Sequence, residues 1–250
     1  MTPAPCDVDV RRADDRFVTR TDWLVSRHSF SFGQHYDPTN TGFGLLVANN
    51  DDTVAPGGGF GTHQHRDMEV VTWVLRGALS HEDSTGCRGR IRPGLAQRMS
   101  AGTGIVHAER NAADGLRVPQ PVRFVQMWVL PDTPSVEPGY EQSEVDLAGL
   151  SQGWSTVASG MRRDAAAAAV RIRQRDAALH ATRLSAGEQA DLPSAPYVHL
   201  YVAVGGVDLD GAGHLDEGDA VRVTGGGGQR LTATGSTELL AWEMHAGRVA

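Results

Sequence analysis

The sequence predicts an all-β chain built as two antiparallel β-barrel or jelly-roll domains in tandem. Three observations point there. The apolar stretches are short, and 30 glycines are spread among 250 residues. Gly, Pro, Asp or Asn falls close to the ends of the runs rich in β-branched and aromatic residues. Turn signals at such close spacing favour hairpins over β-α-β units. A chain of 250 residues can bury a substantial core, as one large domain or two small ones.

Taken in order, the first half offers FGLLVAN (43–49), then EVVTWVLRGAL (69–79), a strand that turns at Gly77. RGRIRPG (88–94), LAQRMSAG (95–102), GIVHAERN (104–111) and VRFVQMWVL (122–130) follow. Residues 130–144, LPDTPSVEPGYEQSE, hold three prolines and a glycine and read as an extended connection. The expected organisation is an N-terminal domain over 1–131, a linker over 132–144 and a C-terminal domain over 145–250. The second half supplies AVRIRQRDAALHATRL (169–184), YVHLYVAVGGVDLDG (197–211), GDAVRVTGG (218–226), QRLTATG (229–235) and STELLAWEMH (236–245). RRDAAAAAVRIR (162–173) has helix propensity in its five alanines. Five residues do not sustain a helix alone, so a short helical turn leading into VRIRQ is expected. The run TGGGG (224–228) lacks the Lys of a phosphate loop and reads as a flexible turn.

Composition narrows the function classes. A net charge of −7 disfavours nucleic-acid and anionic-membrane surfaces, which need clustered Lys and Arg. No stretch approaches the ~20 apolar residues of a membrane span, and MTPAPCDVDVRRADDR lacks the apolar core of a signal peptide. Cys6 and Cys87 form neither a metal-type pair nor a disulfide framework. Free thiols and a cytoplasmic location are expected.

The chemistry lies in two pairs. His63 and His65 stand at i and i+2 in GFGTHQH, and His107 and Glu109 repeat that relation in GIVHAERN. On a strand, i and i+2 point to one face. If the two strands are neighbours, three imidazoles and one carboxylate converge, a plausible shell for a divalent ion. A lone His-x-His is more often an ordinary polar strand feature; the combination carries the signal. Gly57 stands six residues before His63, Glu69 four after His65, and Gly104, His107 and Asn111 keep the spacing G-x2-H-x3-N. These spacings resemble the paired motifs of the cupin superfamily, except that Gly102 stands where a proline is expected.

The block HQHRDMEVVTWVLRGALSHEDSTGCRGRIRPGLAQRMSAGTGIVHAERN closely resembles the pirin family signature, and WLVSRHSFSFGQHYDPTNTGFGLLVANNDD resembles its N-terminal block. The resemblance covers residues 23–131 and continues weakly beyond. The variety it most resembles is the bacterial pirin-like protein associated with quercetin 2,3-dioxygenase activity. It implies a bicupin with one metal in the N-terminal domain, held by His63, His65, His107 and Glu109. Fe(II) is the first expectation, with Zn, Mn, Ni and Cu compatible with the same donors. Glu69 is then expected to orient a ligating imidazole. The implied reaction joins a small aromatic substrate with O2, with Glu109 as the catalytic proton acceptor. The rival expectation is a metal-holding regulatory or redox-sensing protein that works through a protein partner. A monomer is expected.

Other residues carry weaker expectations. His28, His35 and His81 match family positions and are expected to serve strand-end hydrogen bonds before any pocket role. Arg66 is expected in a surface ion pair. Phe43, Phe60, Met127 and Trp128 are candidate core residues, of which one or two stack on a flat substrate. His180, His199, His214 and His245 stand singly, so the C-terminal domain is expected to hold no metal.

Overall fold

The computed structural model describes residues 6–112 and 119–248. In the N-terminal domain a seven-stranded sheet runs in the order Gly139–Glu144, Leu95–Ser100, Glu69–Arg76, Val122–Val129, Leu46–Val54, Leu24–His28, Phe17–Arg20. It faces a four-stranded sheet in the order Gly59–His65, Ile105–Asn111, Leu79–Asp83, Arg88–Ile91. The C-terminal domain repeats this plan. Its seven-stranded sheet runs Asp7–Arg11, Ala220–Gly227, Ser194–Val204, Thr237–Met244, Ala177–Leu184, Ser155–Ser159, Val170–Arg171. Its four-stranded sheet runs Gln189–Asp191, Arg230–Ala233, Gly206–Leu209, Gly213–Asp216. Among the described residues only Ser155–Ser159 and Val170–Arg171 pair in parallel. The chain is thus an all-β tandem of two antiparallel jelly rolls. The one α-helix among the described residues, Leu147–Leu150, is a single turn capped by Asp146. No described helix is long and apolar enough to cross a membrane.

Alternation along each strand explains how the layers stack. In Glu69–Arg76, Val70 and Val74 face the interior of the N-terminal barrel, while Val71 and Trp73 face the other way. The outward row meets Leu179, Tyr201, Leu240 and Trp242 of the second domain in one apolar cluster. Fully burying such a side chain is worth roughly 1.5–3 kcal/mol, so this shared core fixes the two large sheets back to back. Two polar groups within it are paired, while Trp242 Nε1 is buried without a partner. Trp73 Nε1 donates to Glu238 at 2.6 Å, and the Tyr201 hydroxyl donates to Asp51 at 2.6 Å.

Three segments differ from the sequence reading. Residues 139–144, expected within the linker, form a strand along the Leu95–Ser100 edge. Pro131, Pro134 and Pro138 all precede it, and none interrupts its ladder. Asp7–Arg11 joins the C-terminal sheet beside Ala220–Gly227, where Val8 and Val10 cover the apolar core of that barrel. The alanine region, by contrast, follows expectation, with a short 3-10 turn at Arg162–Asp164 before the short strand Val170–Arg171. The glycine run is not a free turn: through Gly227 it is strand, paired with Ser194, Ala195 and Tyr197. Gly227 sits at φ 151° and a Cβ there would collide with the Pro193 carbonyl, so close backbone approach explains the glycine.

Candidate metal centre

The two motif strands are neighbours. Gly59–His65 pairs antiparallel with Ile105–Asn111, with His107 opposite His63 and Ile105 opposite His65. The register shifts between His107 and Glu109, so that Gly61 and Thr62 together stand opposite Ala108. This extra residue is a β-bulge. Strict alternation would send Phe60 and His63 to opposite faces; the bulge turns both, with His65, into one cavity. On the partner strand His107 and Glu109 are buried, whereas Val106 and Arg110 are exposed.

The imidazoles converge. Ring centroids lie 4.9 Å apart for His63 and His65, 4.3 Å for His63 and His107, and 4.9 Å for His65 and His107. One nitrogen from each lies within 4.8 Å of the other two, and Glu109 groups with His107 and His81 by the same measure. The three histidines thus form one group, and His107 links it to a second that holds Glu109.

Their donor atoms are the informative part. His65 Nε2, His107 Nε2 and Glu109 Oε1 are buried with no hydrogen-bond partner. Buried polar atoms are rarely left so, because each unpaired one costs about 1–3 kcal/mol. A cation held among these residues would give the three orphans a partner, and three imidazoles with a carboxylate are a chemically suitable set. The remaining nitrogens and oxygens are held. His63 Nδ1 bonds the carbonyl of Gly61 at 2.7 Å, leaving Nε2 free, and Glu109 Oε2 accepts from Gln126 at 2.9 Å. Gln126 in turn accepts from Trp128 Nε1 at 3.1 Å. Burial and the adjacent His63 lower His65 to about 4, and burial with His63, His65 and His81 lowers His107 to about 3. Both are therefore neutral at physiological pH, with lone pairs available. Burial pushes Glu109 up to about 7.

A cavity of about 870 Å³ opens beside these donors. Phe60, Trp128, Phe32 and Trp23 line it, and the Trp128 ring stands edge-to-face to His65 at 4.8 Å. Asn50 and Asp52 line it from Leu46–Val54, and Ser26 and His28 from the neighbouring strand. Burial, reinforced by Asp51 and Glu109, raises Asp52 to about 7, and its Oδ1 has no partner. Of the candidate substrate-stacking residues, Phe60 and Trp128 line the cavity. Phe43 and Met127 face the interdomain core.

The other singled-out residues fall as follows. His28 and His35 both line the cavity and both bond Thr19 Oγ1, at 2.9 and 3.2 Å. His81 lies behind His107, its Nδ1 3.3 Å from that of His107. Arg66 is exposed and pairs with Asp67 at 3.5 Å. Glu69 does not orient an imidazole. It sits on the outward face of its strand, where it accepts from Ser100 at 2.8 Å and from the backbone N–H of Arg173 at 3.0 Å. Gly102 adopts φ 49° and a Cβ would collide with the Val136 carbonyl. Proline cannot reach that φ, which accounts for the departure from the motif.

In the C-terminal domain the strands that occupy the corresponding places, Gln189–Asp191 and Arg230–Ala233, carry no histidine. Leu231 and Ala233 join an aliphatic core there. His180 and His245 both bond Glu243, His214 makes surface ion pairs with Asp208 and Asp216, and His199 is buried. Asp52, Asp83, Gln126 and Tyr140 were not among the sequence candidates. Asp83 had a signal, since His81-x-Asp83 repeats the i, i+2 pattern on a strand.

Comparison with known proteins places this arrangement. Residues 10–129 match the family model described as Pirin, and 156–244 the Quercetinase C-terminal cupin domain. A Mycobacterium tuberculosis protein named "Putative quercetin 2,3-dioxygenase" is 54% identical over 239 residues, covering 96% of each chain. Quercetin 2,3-dioxygenase of Escherichia coli is 37% identical over 204 residues, covering 81% of this chain and 84% of its own. The crystal structure of YhhW from Escherichia coli superposes with a TM-score of 0.87 at 31% identity, covering 98% of this chain and 100% of that one. A structure of bacterial pirin YhhW in complex with nickel(II) gives 0.85 at 30% identity, covering 96% and 100%. With two jelly rolls, one convergent donor set and relatives of this similarity over nearly its whole length, the chain belongs to the pirin family of cupins.

Proposed function

We propose that this protein is a metal-dependent dioxygenase that cleaves a flavonol-type polyphenol such as quercetin with O2, holding one divalent ion on His63, His65, His107 and Glu109. The observation that carries the proposal is the meeting of three unpartnered buried donors with an aromatic-lined cavity of about 870 Å³. That volume lies within the ~300–1,000 Å³ of small-molecule sites. The names of the relatives support the same chemistry, and the nickel(II) complex of YhhW supports a metal in this fold. A bound divalent ion supplies Lewis acidity and, for Fe(II), the redox capacity that dioxygen chemistry needs.

The chain's own residues would do the rest. Phe60 and Trp128 present ring faces and edges to a flat substrate. Gln126 fixes one Glu109 oxygen, so the other keeps its direction toward the ion. Glu109 would take the hydroxyl proton of an enol by moving between metal ligand and general base. Asp52 offers its unpartnered Oδ1 to a further substrate hydroxyl. An open cavity favours catalysis over a purely regulatory metal, for which no substrate space is needed.

The test is anaerobic reconstitution with Fe(II), then quercetin and O2. Carbon monoxide and the ring-opened depside are expected; neither product forming would refute the dioxygenase assignment. His63→Ala should lose both metal and turnover, and metal content surviving that change would refute the ligand assignment.

A further inference from the structure

Behind His107 lies a second row of polar groups with no place in the reaction above. His81 Nε2 is 3.0 Å from Asp83 Oδ2, and His81 Nδ1 is 3.3 Å from His107 Nδ1. Asp83 is itself held: its Oδ1 accepts from the Thr85 hydroxyl at 2.6 Å and from the backbone N–H groups of Thr85 and Cys87 at 2.9 and 3.2 Å. The ring of Tyr140 stacks on His81 at 4.6 Å and 25°. Gly89, opposite His81 in the ladder, leaves the space, since a Cβ there would collide with the Tyr140 hydroxyl. His81 and Asp83 are both buried.

The hydrogen positions follow from donor and acceptor capacity. A carboxylate oxygen only accepts, so His81 Nε2 carries the hydrogen. A neutral imidazole has one N–H, which leaves His81 Nδ1 as an acceptor. His107 Nδ1 must then donate to it, and His107 Nε2 is left as a bare lone pair. That is the atom found buried and without a partner. No solvent molecule need be invoked, because Tyr140 covers the outer face of His81.

We propose that Asp83 and His81 are positioning residues, a two-step relay that fixes the tautomer and the ring plane of His107 so that its Nε2 faces the ion site. Hydrogen bonding to a ligand's second nitrogen is a general means of setting metal affinity; here an imidazole stands between carboxylate and ligand. The proposal rests on the reading of His107 as a metal ligand, but its tautomer claim can be tested with no metal present.

The experiment has two arms. In the first, ring 15N NMR of the metal-free protein reads the His107 tautomer, and the hydrogen is expected on Nδ1. A hydrogen on Nε2 overturns the relay, whatever the metal results. In the second, Ni(II) affinity is measured by chelator competition. His81→Phe, which keeps a ring under Tyr140 but offers no acceptor, should weaken binding by about 10–100-fold. His81→Gln and Asp83→Asn, which can each keep an acceptor oxygen in place, should recover most of that loss, whereas Asp83→Leu should not. A merely structural role would not make recovery follow the acceptor atom. Wild-type affinity in His81→Phe overturns the relay; absence of Ni(II) binding by the wild type overturns the metal reading and leaves the tautomer arm to decide the relay.

Discussion

Replacing Asp52 by Asn should make the metal-free protein more stable at alkaline pH and leave it little changed in acid. The Asp52 carboxyl is buried on the cavity wall with Oδ1 unpartnered. Burial is the largest cause of its rise from 3.8 to about 7; the charges of Asp51 and Glu109 add to it, and Ser26 and Arg16 only partly offset it. An unfolded chain releases this proton near 3.9. Between those values the folded state binds more protons than the unfolded one, so stability falls as pH rises, and above about 7 the whole penalty applies. The span corresponds to about 4 kcal/mol. Asn does not ionise, and the hydrogen-bonding cost of its amide is the same at every pH. The assay is urea unfolding of chelator-stripped wild type and variant from pH 4 to pH 8. The stability difference should move in favour of Asp52→Asn by about 4 kcal/mol across that range. A difference constant to within about 1 kcal/mol would show that Asp52 is not the buried acid described here.

Further outcomes follow from the same geometry. Glu69→Ala should leave Ni(II) affinity unchanged while costing about 1–3 kcal/mol of stability, since it removes the acceptor of one buried and one part-buried hydrogen bond; loss of metal would return Glu69 to the ion site. Gly102→Ala should cost more than the roughly 1–2 kcal/mol of a left-handed residue, because its Cβ also meets the Val136 carbonyl, and a thermal shift near zero would contradict that contact. Trp128→Ala should keep metal content but raise the KM for quercetin by about tenfold, the equivalent of ~1.4 kcal/mol of lost ring contact. An unchanged KM would remove Trp128 from the substrate wall.

What could be read from the sequence was what is local. His63-x-His65 and His107-x-Glu109 each fix a face by strand alternation alone, and tight turns at Gly77 and Gly94, both at positive φ, mark strand ends without any knowledge of the fold. Glu69 shows where this stops. Between His65 and Glu69 the chain passes Asp67 at φ 47°, and that turn decides which face Glu69 takes. The family resemblance put it beside the imidazoles; the turn put it against Arg173 of the second domain. Gly139–Glu144 was hidden for a different reason. Its residues are mostly polar, and they become a strand only because Leu95–Ser100 presents an open edge. With that strand arrives Tyr140, whose place over His81 depends on a pairing between residues far apart in sequence. The bulge at Gly61–Thr62 was equally silent, although it is what brings Phe60 round to the side of His63.

The account depends on four donors meeting at one ion, and anomalous diffraction from crystals loaded with Fe(II) or Ni(II) tests it most directly. It predicts a single strong peak in the N-terminal domain, within about 2.0–2.4 Å of His63, His65 and His107 nitrogens and a Glu109 oxygen. A peak bound by fewer than three of those residues, or located instead at Glu243 with His180 and His245, would contradict it.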